Sequence, residues 1–241
     1  MKQRVITAVI ALIIFLPLLY LGGIPFDILV TLMGIVAMSE FLIMKKKLLV
    51  SFEAIVSFLL MLSILLPVFW AGFWTQDTLG GSFYLLALVM LVYTVISKNR
   101  FSFDDAGVLL LGGLYAGLGF RFMMLARAES LWMMLYALLI VWVTDSGAYL
   151  IGRKIGKNKL APHISPNKTW EGSIGGSLSA VVIVGAYLYF VQAAFPYSFS
   201  TMLLWTLVFS VGGQLGDLIE SAFKRHYGVK DSGKILPGHG G

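Results

Sequence analysis

Long apolar stretches alternate with short polar ones along the chain, and most apolar stretches have the length of a bilayer-crossing helix. Such a helix needs roughly 20 residues to cross about 30 Å of hydrocarbon. The pattern therefore predicts an all-α fold, a polytopic integral membrane bundle of helices. Eight spans are expected near residues 5–21, 25–44, 54–74, 82–97, 106–125, 131–151, 173–194 and 200–220.

The composition agrees with this pattern and excludes several kinds of chemistry. Hydrophobic residues make up 59% of the chain and charged residues 12%, whereas a soluble domain carries about 25% charged residues. Cysteine is absent, which excludes disulfides, thiolate metal sites and cysteine nucleophiles. The net charge of +6 is concentrated in the connections between spans, so we expect no nucleic-acid partner.

The placement of the basic residues predicts the orientation in the membrane. With a cytoplasmic N-terminus, all of the 18 basic residues except Arg121 and Arg127 fall on the cytoplasmic side. Basic residues are enriched in cytoplasmic connections. We therefore expect a multi-pass protein of the cytoplasmic (inner) membrane, with both termini in the cytoplasm.

The two parts of the chain differ in how many polar groups they hold. Residues 1–100 have few within their spans and are interpreted as a scaffold. Residues 101–241 are interpreted as the catalytic part of the same continuous membrane domain, with a cytoplasmic loop at 152–171 and a cytoplasmic tail at 221–241. Small residues four positions apart favour close approach of helices. Such pairs occur at Gly113/Gly117, Gly172/Gly176 and Gly212/Gly216.

Asp145 is the first of three polar features expected on the cytoplasmic side. An aspartate inside a span costs about 3 kcal/mol on insertion scales, so it usually faces a cavity or a partner. It lies near the cytoplasmic end of its predicted span, at a depth of roughly 9 Å for a helix. The alternative is a structural carboxylate paired with a neighbouring helix.

The loop at 152–171 is the second feature. Its Arg, Lys, Ser, Asn and Thr side chains alternate with Gly and Pro, a composition that suits phosphate oxygens. Its spacing is not that of a Walker loop. A basic loop attracted to anionic headgroups is the alternative. The string Ser-Pro-Asn-Lys-Thr-Trp-Glu-Gly at 165–172 leads straight into a span, which favours a binding site.

The third feature begins in the last predicted span. Asp217, Ser221 and Lys224 have the spacing of one helical stripe, Glu220 lies beside them and Asp231 follows in the tail. Mg²⁺ takes one or two protein carboxylates and completes its shell with phosphate and water. The alternative is a helix-end aspartate offset by lysine and arginine side chains that reach the interface.

Carboxylates beside clustered cations on one membrane face are the working parts of phosphoryl or nucleotidyl transfer. The three histidines, His163, His226 and His239, are too scattered along the chain for a histidine metal site.

The tail carries a specific resemblance. The pattern Ser221-x-Phe223-Lys224-Arg225-x4-Lys230-Asp231-x-Gly233-x2-Leu236-Pro237-x-His239-Gly240-Gly241 resembles the signature of the phosphatidate cytidylyltransferases, also called CDP-diacylglycerol synthases. The 165–172 string is similar to that family's loop motif, in which lysine is common where this chain has Asn167.

This resemblance implies that CTP and phosphatidate are the partners, that the products are CDP-diacylglycerol and pyrophosphate, and that Mg²⁺ is required. Asp217 matches the family's metal ligand. The other residues implied in catalysis are Lys224, Asp231 and Asp145. The residues implied in substrate binding are Ser165, Asn167, Lys168, Thr169, Ser221, Arg225, Lys230, His239 and Gly240.

Alternative functions, the assembly and the activity of the chain also follow from the sequence as expectations. A CTP-dependent kinase or a cytidylyltransferase of another membrane lipid would use the same kind of site, whereas a transporter would gather its polar groups at the membrane midplane. A homodimer is one assembly that we leave open. In the family, an Asp-Arg-x-Asp string and a ninth span follow His-Gly-Gly, so residues 1–241 alone are expected to show weak or no activity.

Overall fold

The computed structural model describes residues 2–65 and 76–233, which form eight α-helices and one β-hairpin. The helices are α1 (Lys2–Leu21), α2 (Gly23–Met44), α3 (Phe52–Leu65), α4 (Gln76–Ile96), α5 (Phe103–Glu129), α6 (Leu131–Ile155), α7 (Trp170–Val191) and α8 (Phe199–His226). The hairpin strands are β1 (Lys159–Ala161) and β2 (Ser165–Thr169).

The predicted helical membrane bundle is confirmed. Within the described residues, five helical stretches are long and apolar enough to cross a membrane: Gly23–Met44, Phe103–Glu129, Leu131–Ile155, Trp170–Ala194 and Phe199–His226. The apolar stretches Ile6–Leu21, Phe52–Leu65 and Gly80–Ile96 are shorter. Residues 66–74 of the predicted span at 54–74 lie outside the described residues.

The segment expected to be a loop at 152–171 has more regular structure than the sequence suggested. Helix α6 continues to Ile155, and β1 pairs with β2 in antiparallel register, with Lys159 opposite Thr169. The Glu171 carboxylate accepts hydrogen bonds from the backbone N–H of Lys157 at 3.1 Å and from Asn158 Nδ2 at 2.6 Å. These bonds close the base of the hairpin against the first turn of α7.

Contacts group the chain into two compact units. One holds residues up to 128 together with the segment that begins at Asp231, and the other holds residues 129–230. The sequence-based division at residue 100 stays a prediction.

In the first unit, four charged side chains pair with one another: Lys45 with Asp105, and Lys47 with both Glu53 (3.4 Å) and Asp105 (3.9 Å). We call these four residues the N-terminal ion cluster.

Glycines set the contact between α6 and α7 in the second unit. A Cβ on Gly176 would lie 2.6 Å from the carbonyl oxygen of Thr144, and one on Gly172 would lie 2.7 Å from that of Ala148. Both distances are too short for a side chain, so this predicted close approach is confirmed.

The other two glycine pairs differ from each other. Within the first unit, a Cβ on Gly117 would lie 3.0 Å from the Ile64 side chain, and one on Gly113 3.4 Å from that of Leu60, which confirms a close approach of α5 to α3. For Gly212/Gly216 the structure shows no close approach among the described residues, because no atom outside the neighbouring backbone of α8 lies within 4 Å of either Cβ position.

Candidate active site

A cavity of about 460 Å³ lies within the second unit, between α6, the hairpin, α7 and α8. Its walls carry both charged and apolar side chains. The lining residues are Asp145, Ala148, Tyr149, Gly152, Arg153, Leu160, Asn167, Lys168, Thr169, Gly172, Ser173, Gln214 and Asp217.

Helix α6 contributes one continuous face to this cavity. Asp145, Ala148, Tyr149, Gly152 and Arg153 all line it, with the i, i+3, i+4, i+7, i+8 spacing of a single helical stripe. The helix ends at Ile155, a full turn beyond the predicted end of the span. Asp145 is therefore about 15 Å from the helix end at a rise of 1.5 Å per residue.

The charged centre of the cavity joins α8 to β2. The Lys168 ammonium forms an ion pair with the Asp217 carboxylate, whose side chain is 50% exposed. Asp145 lies within electrostatic reach of both Asp217 and Lys168. Arg153 lines the same cavity, and neither Asp145 nor Arg153 forms an ion pair with a residue in the described part of the chain. We call Asp145, Arg153, Lys168 and Asp217 the cavity cluster.

The donor atoms of the cavity fit a hard divalent cation. Carboxylate oxygens of Asp145 and Asp217 and the amide of Asn167 line one space, and oxygen ligands are those that Mg²⁺ prefers. Among residues 2–65 and 76–233, no group of three or more His, Cys, Asp or Glu side chains could enclose a metal. A cation bound here would therefore need further ligands from phosphate oxygens and water.

Five of the residues predicted from the sequence line the cavity: Asp145, Asn167, Lys168, Thr169 and Asp217. Thr169 also has a structural role. Its hydroxyl oxygen accepts a hydrogen bond from the Gly172 N–H at 3.1 Å and so caps the N-terminus of α7.

Other predicted residues do not line the cavity and have local partners. Lys224 forms an ion pair with Glu220 at 2.7 Å, the favoured arrangement for Glu four residues before Lys on a helix. Arg225 Nε donates a hydrogen bond to the carbonyl oxygen of Ile164 at 3.2 Å, which holds the turn of the hairpin. Lys230, Ser221 and Ser165 also lie outside the cavity lining. Substrate contacts by all five stay predictions.

The tail residues belong to the first unit or fall outside the described residues. Asp231 is exposed, and the hydroxyl of the next residue, Ser232, donates to Glu40 Oε2 at 2.7 Å. Glu40 and Ser232 are 7% and 8% exposed, so Glu40 adds a buried polar contact to the half of the chain interpreted as a scaffold. The predicted residues His239 and Gly240 lie outside the described residues.

Three polar or aromatic residues of the cavity were not predicted from the sequence, namely Tyr149, Ser173 and Gln214, and Arg153 belonged to the predicted phosphate-binding loop without being singled out. A helical stripe drawn from Asp145 would have found Tyr149 and Arg153, and one drawn back from Asp217 by one turn would have found Gln214. Ser173 follows the 165–172 string directly and had no comparable signal.

A family model described as the Cytidylyltransferase family matches residues 2–241. The chain belongs to this family. Cytidylyltransferases transfer a nucleotidyl group, so the chain is a nucleotidyltransferase, and the resemblance found in its tail and loop is confirmed.

Relatives of this cytidylyltransferase are close along its whole length. It is 47% identical to the phosphatidate cytidylyltransferase of Staphylococcus haemolyticus (strain JCSC1435), 49% to that of Staphylococcus aureus (strain COL) and 46% to that of Staphylococcus saprophyticus. Each match covers 241 residues, which are 100% of this chain and 92% of the relative.

Proposed function

We propose that this cytidylyltransferase transfers CMP from CTP to phosphatidate for phospholipid biosynthesis, giving CDP-diacylglycerol and pyrophosphate. The observation that carries the proposal is that Asp145, Lys168 and Asp217 meet at one cavity in a chain of this family. The relatives described above are phosphatidate cytidylyltransferases, which supports the same reaction for this chain.

The reaction needs no nucleophile from the protein. A phosphate oxygen of phosphatidate attacks the α-phosphorus of CTP and forms a new P–O bond. The bond between that phosphorus and the oxygen bridging to the β-phosphate breaks, and pyrophosphate leaves. The lipid phosphate is already largely ionised at neutral pH, because the second pKa of a phosphate monoester is about 6. The protein's part is positioning and charge neutralisation.

The cavity cluster supplies charges of both signs for this task. Lys168, Arg153 and the Asn167 amide would bind phosphate oxygens of CTP or of the lipid. Asp217 and Asp145 would hold a divalent metal, for which we propose Mg²⁺, and the metal neutralises triphosphate charge in this kind of transfer. Lys168 is paired with Asp217, so it would exchange a carboxylate for a phosphate when the substrate binds.

A radiolabel assay tests the reaction. The purified protein in lipid nanodiscs receives phosphatidate, Mg²⁺ and CTP labelled at the α- or the γ-phosphate. Label in the lipid product is expected from α-labelled CTP only. Label from γ-labelled CTP would instead show a CTP-dependent kinase, and no lipid label from either would overturn the proposed function.

Two further arms complete the assay. The double variant Asp145→Asn/Asp217→Asn provides the inactive control, and diacylglycerol or another lipid phosphate in place of phosphatidate tests the lipid class.

We also propose that the cavity opens to the cytoplasm and that both termini lie there, on the strength of the basic residues on that side. The absence of cysteine makes a labelling test simple. In inside-out vesicles, Lys157→Cys should react with a membrane-impermeant maleimide and Glu129→Cys should not, because the two exposed positions lie at opposite ends of α6. The reverse result would invert the orientation.

A further inference from the structure

Four buried polar side chains form a continuous hydrogen-bonded chain across the three helices of the second unit. Thr144 Oγ1 on α6 donates to Ser210 Oγ on α8 at 2.8 Å, and Ser210 donates to Ser177 Oγ on α7 at 2.9 Å. Gln214 Nε2 on α8 donates to the same Ser177 oxygen at 3.0 Å. The four side chains are 2%, 1%, 6% and 9% exposed, in the order Thr144, Ser210, Ser177 and Gln214.

The two ends of this network lie beside the two carboxylates of the cavity. Thr144 directly precedes Asp145 on α6. Gln214 precedes Asp217 by about one turn of α8 and itself lines the cavity. Gln214 Nε2 also reaches the carbonyl oxygen of Ser173 at 3.3 Å. The hydrogen bonds therefore join the helix segments that carry Asp145 and Asp217 to each other and to α7.

Helix packing alone does not require a buried hydrogen-bonded network at this position. Apolar side chains of similar size would fill the same space, and buried polar groups in a membrane helix are costly unless they are paired. Each hydroxyl finds its partner in only one alignment of the three helices. A slide of α8 along α6 would break the bond between Thr144 and Ser210, and a slide of α8 along α7 would break the bond between Gln214 and Ser177. The network therefore selects one axial register of the three helices.

We propose that the Thr144–Ser210–Ser177–Gln214 network is a positioning device that fixes the spacing of the Asp145 and Asp217 carboxylates for the bound divalent cation. Gln214 is its principal positioning residue, because it touches both the network and the cavity. The inference rests on the proposed function, since it concerns the metal that the transfer requires.

A second polar link between α6 and α8 supplies a matched control. The Tyr136 hydroxyl donates to the Met202 carbonyl oxygen at 2.9 Å and lies 3.1 Å from Thr206 Oγ1. This link is also buried and joins the same two helices, but it lies about two turns farther from Asp145 along α6. Tyr136→Phe removes it without touching the cavity.

The test measures metal binding directly, without turnover. Mn²⁺ replaces Mg²⁺, and the EPR signal of free Mn²⁺ is titrated against detergent-solubilised protein. Gln214→Leu and the near-isosteric Thr144→Val should bind Mn²⁺ roughly 10-fold more weakly, because loss of groups that orient metal ligands costs about 10–100-fold in affinity. Thr144→Ser keeps the hydroxyl and should bind Mn²⁺ as tightly as the wild type.

Steady-state kinetics provide a second readout. The Mg²⁺ concentration for half-maximal activity should rise about 10-fold in Gln214→Leu, with kcat at saturating Mg²⁺ changed much less. Tyr136→Phe should lower the thermal stability but leave the metal dependence as in the wild type.

The outcomes separate this inference from the proposed function. If Gln214→Leu and Thr144→Val bind Mn²⁺ like the wild type and only lose thermal stability, the network is merely structural and the proposal is overturned. A wild type that binds Mn²⁺ tightly but transfers nothing from CTP overturns the proposed function instead. A wild type that binds no Mn²⁺ overturns the positioning role.

Discussion

The two clusters of charged residues in this chain are built in opposite ways. In the N-terminal ion cluster, both carboxylates have ammonium partners, and the side chains of Lys45, Lys47, Glu53 and Asp105 are only 12–23% exposed. In the cavity cluster, Lys168 and Asp217 form an ion pair, Asp217 is 50% exposed and Arg153 is exposed.

The difference shows which charges are available to a ligand. A cluster whose members neutralise one another supports packing and leaves no unpaired charge that could bind a ligand. The cavity cluster holds two charges of opposite sign, on Asp145 and Arg153, that have no ion-pair partner among the described residues and that face a 460 Å³ cavity. A metal–triphosphate, which also carries both signs, is complementary to that arrangement.

Replacing one carboxylate in each cluster is the strongest test of this comparison. Asp217→Asn should lower kcat/KM at least about 100-fold, because a group that stabilises transferred charge is worth that much or more. Its thermal stability should change little, since Asp217 is half exposed. The radiolabel assay and a thermal unfolding curve measure both effects.

Asp105→Asn is the matched control. It removes a partner of both Lys45 and Lys47 and should lower stability by about 1–3 kcal/mol, between the values for exposed and buried pairs. Transfer activity should stay within a few fold of the wild type. Equal losses of activity in the two variants would remove the distinction between the clusters.

The two lysines give the next largest difference. Lys168→Met should raise the KM for CTP by about 10–100-fold, because a charge-assisted contact to phosphate is lost. Lys45→Met should leave the KM for CTP unchanged. If Lys168 only neutralises Asp217, its replacement would leave the KM unchanged as well, and that result would contradict the proposed phosphate contact.

Arg153 and its neighbour Lys154 test whether position in the cavity matters more than local charge. Both are exposed basic residues in the last turn of α6, but only Arg153 is among the described residues that line the cavity. Arg153→Gln should raise the KM for CTP or phosphatidate about 10-fold. Lys154→Gln should change it by less than about 2-fold. A similar effect from both would indicate general attraction of anions.

The smallest effects are expected from Gly176 at the contact between α6 and α7 and from Gly212 on α8. Gly176→Ala would place a methyl group 2.6 Å from the Thr144 carbonyl oxygen, and overpacking of this kind costs about 1–3 kcal/mol. Gly212→Ala, which meets no described residue within 4 Å, should be neutral or stabilise the helix by up to about 1 kcal/mol. Thermal unfolding in detergent measures both. A loss of stability in Gly212→Ala would indicate a contact on that face.

The sequence was sufficient for features that depend on local pattern. Apolar length predicted the membrane helices, and the insertion cost of a carboxylate singled out Asp145. The helical stripe at the end of the last span, together with the family resemblance, singled out Asp217. The string at 165–172 led to Asn167 and Lys168, which line the cavity. Each of these signals is carried by a residue type at a position where that type is costly or unusual.

Features that depend on which helix faces which could not be predicted in this way. The spacing of Asp217, Ser221 and Lys224 suggested one functional stripe, yet Lys224 pairs with Glu220 and Asp217 with Lys168. Similarly, Gly172/Gly176 and Gly212/Gly216 have the same spacing, but in the described part of the chain only the first pair meets a neighbouring helix. Tertiary packing decides between such equivalent patterns.

The hydrogen bond between Ser232 and Glu40 joins residues that are 192 positions apart. During synthesis, Glu40 enters the membrane region with α2 long before the ribosome reaches Ser232. Its buried carboxylate must wait for a hydrogen-bond donor while all of α6, α7 and α8 are inserted. The first unit is therefore completed last, after the residues of the second unit have been synthesised.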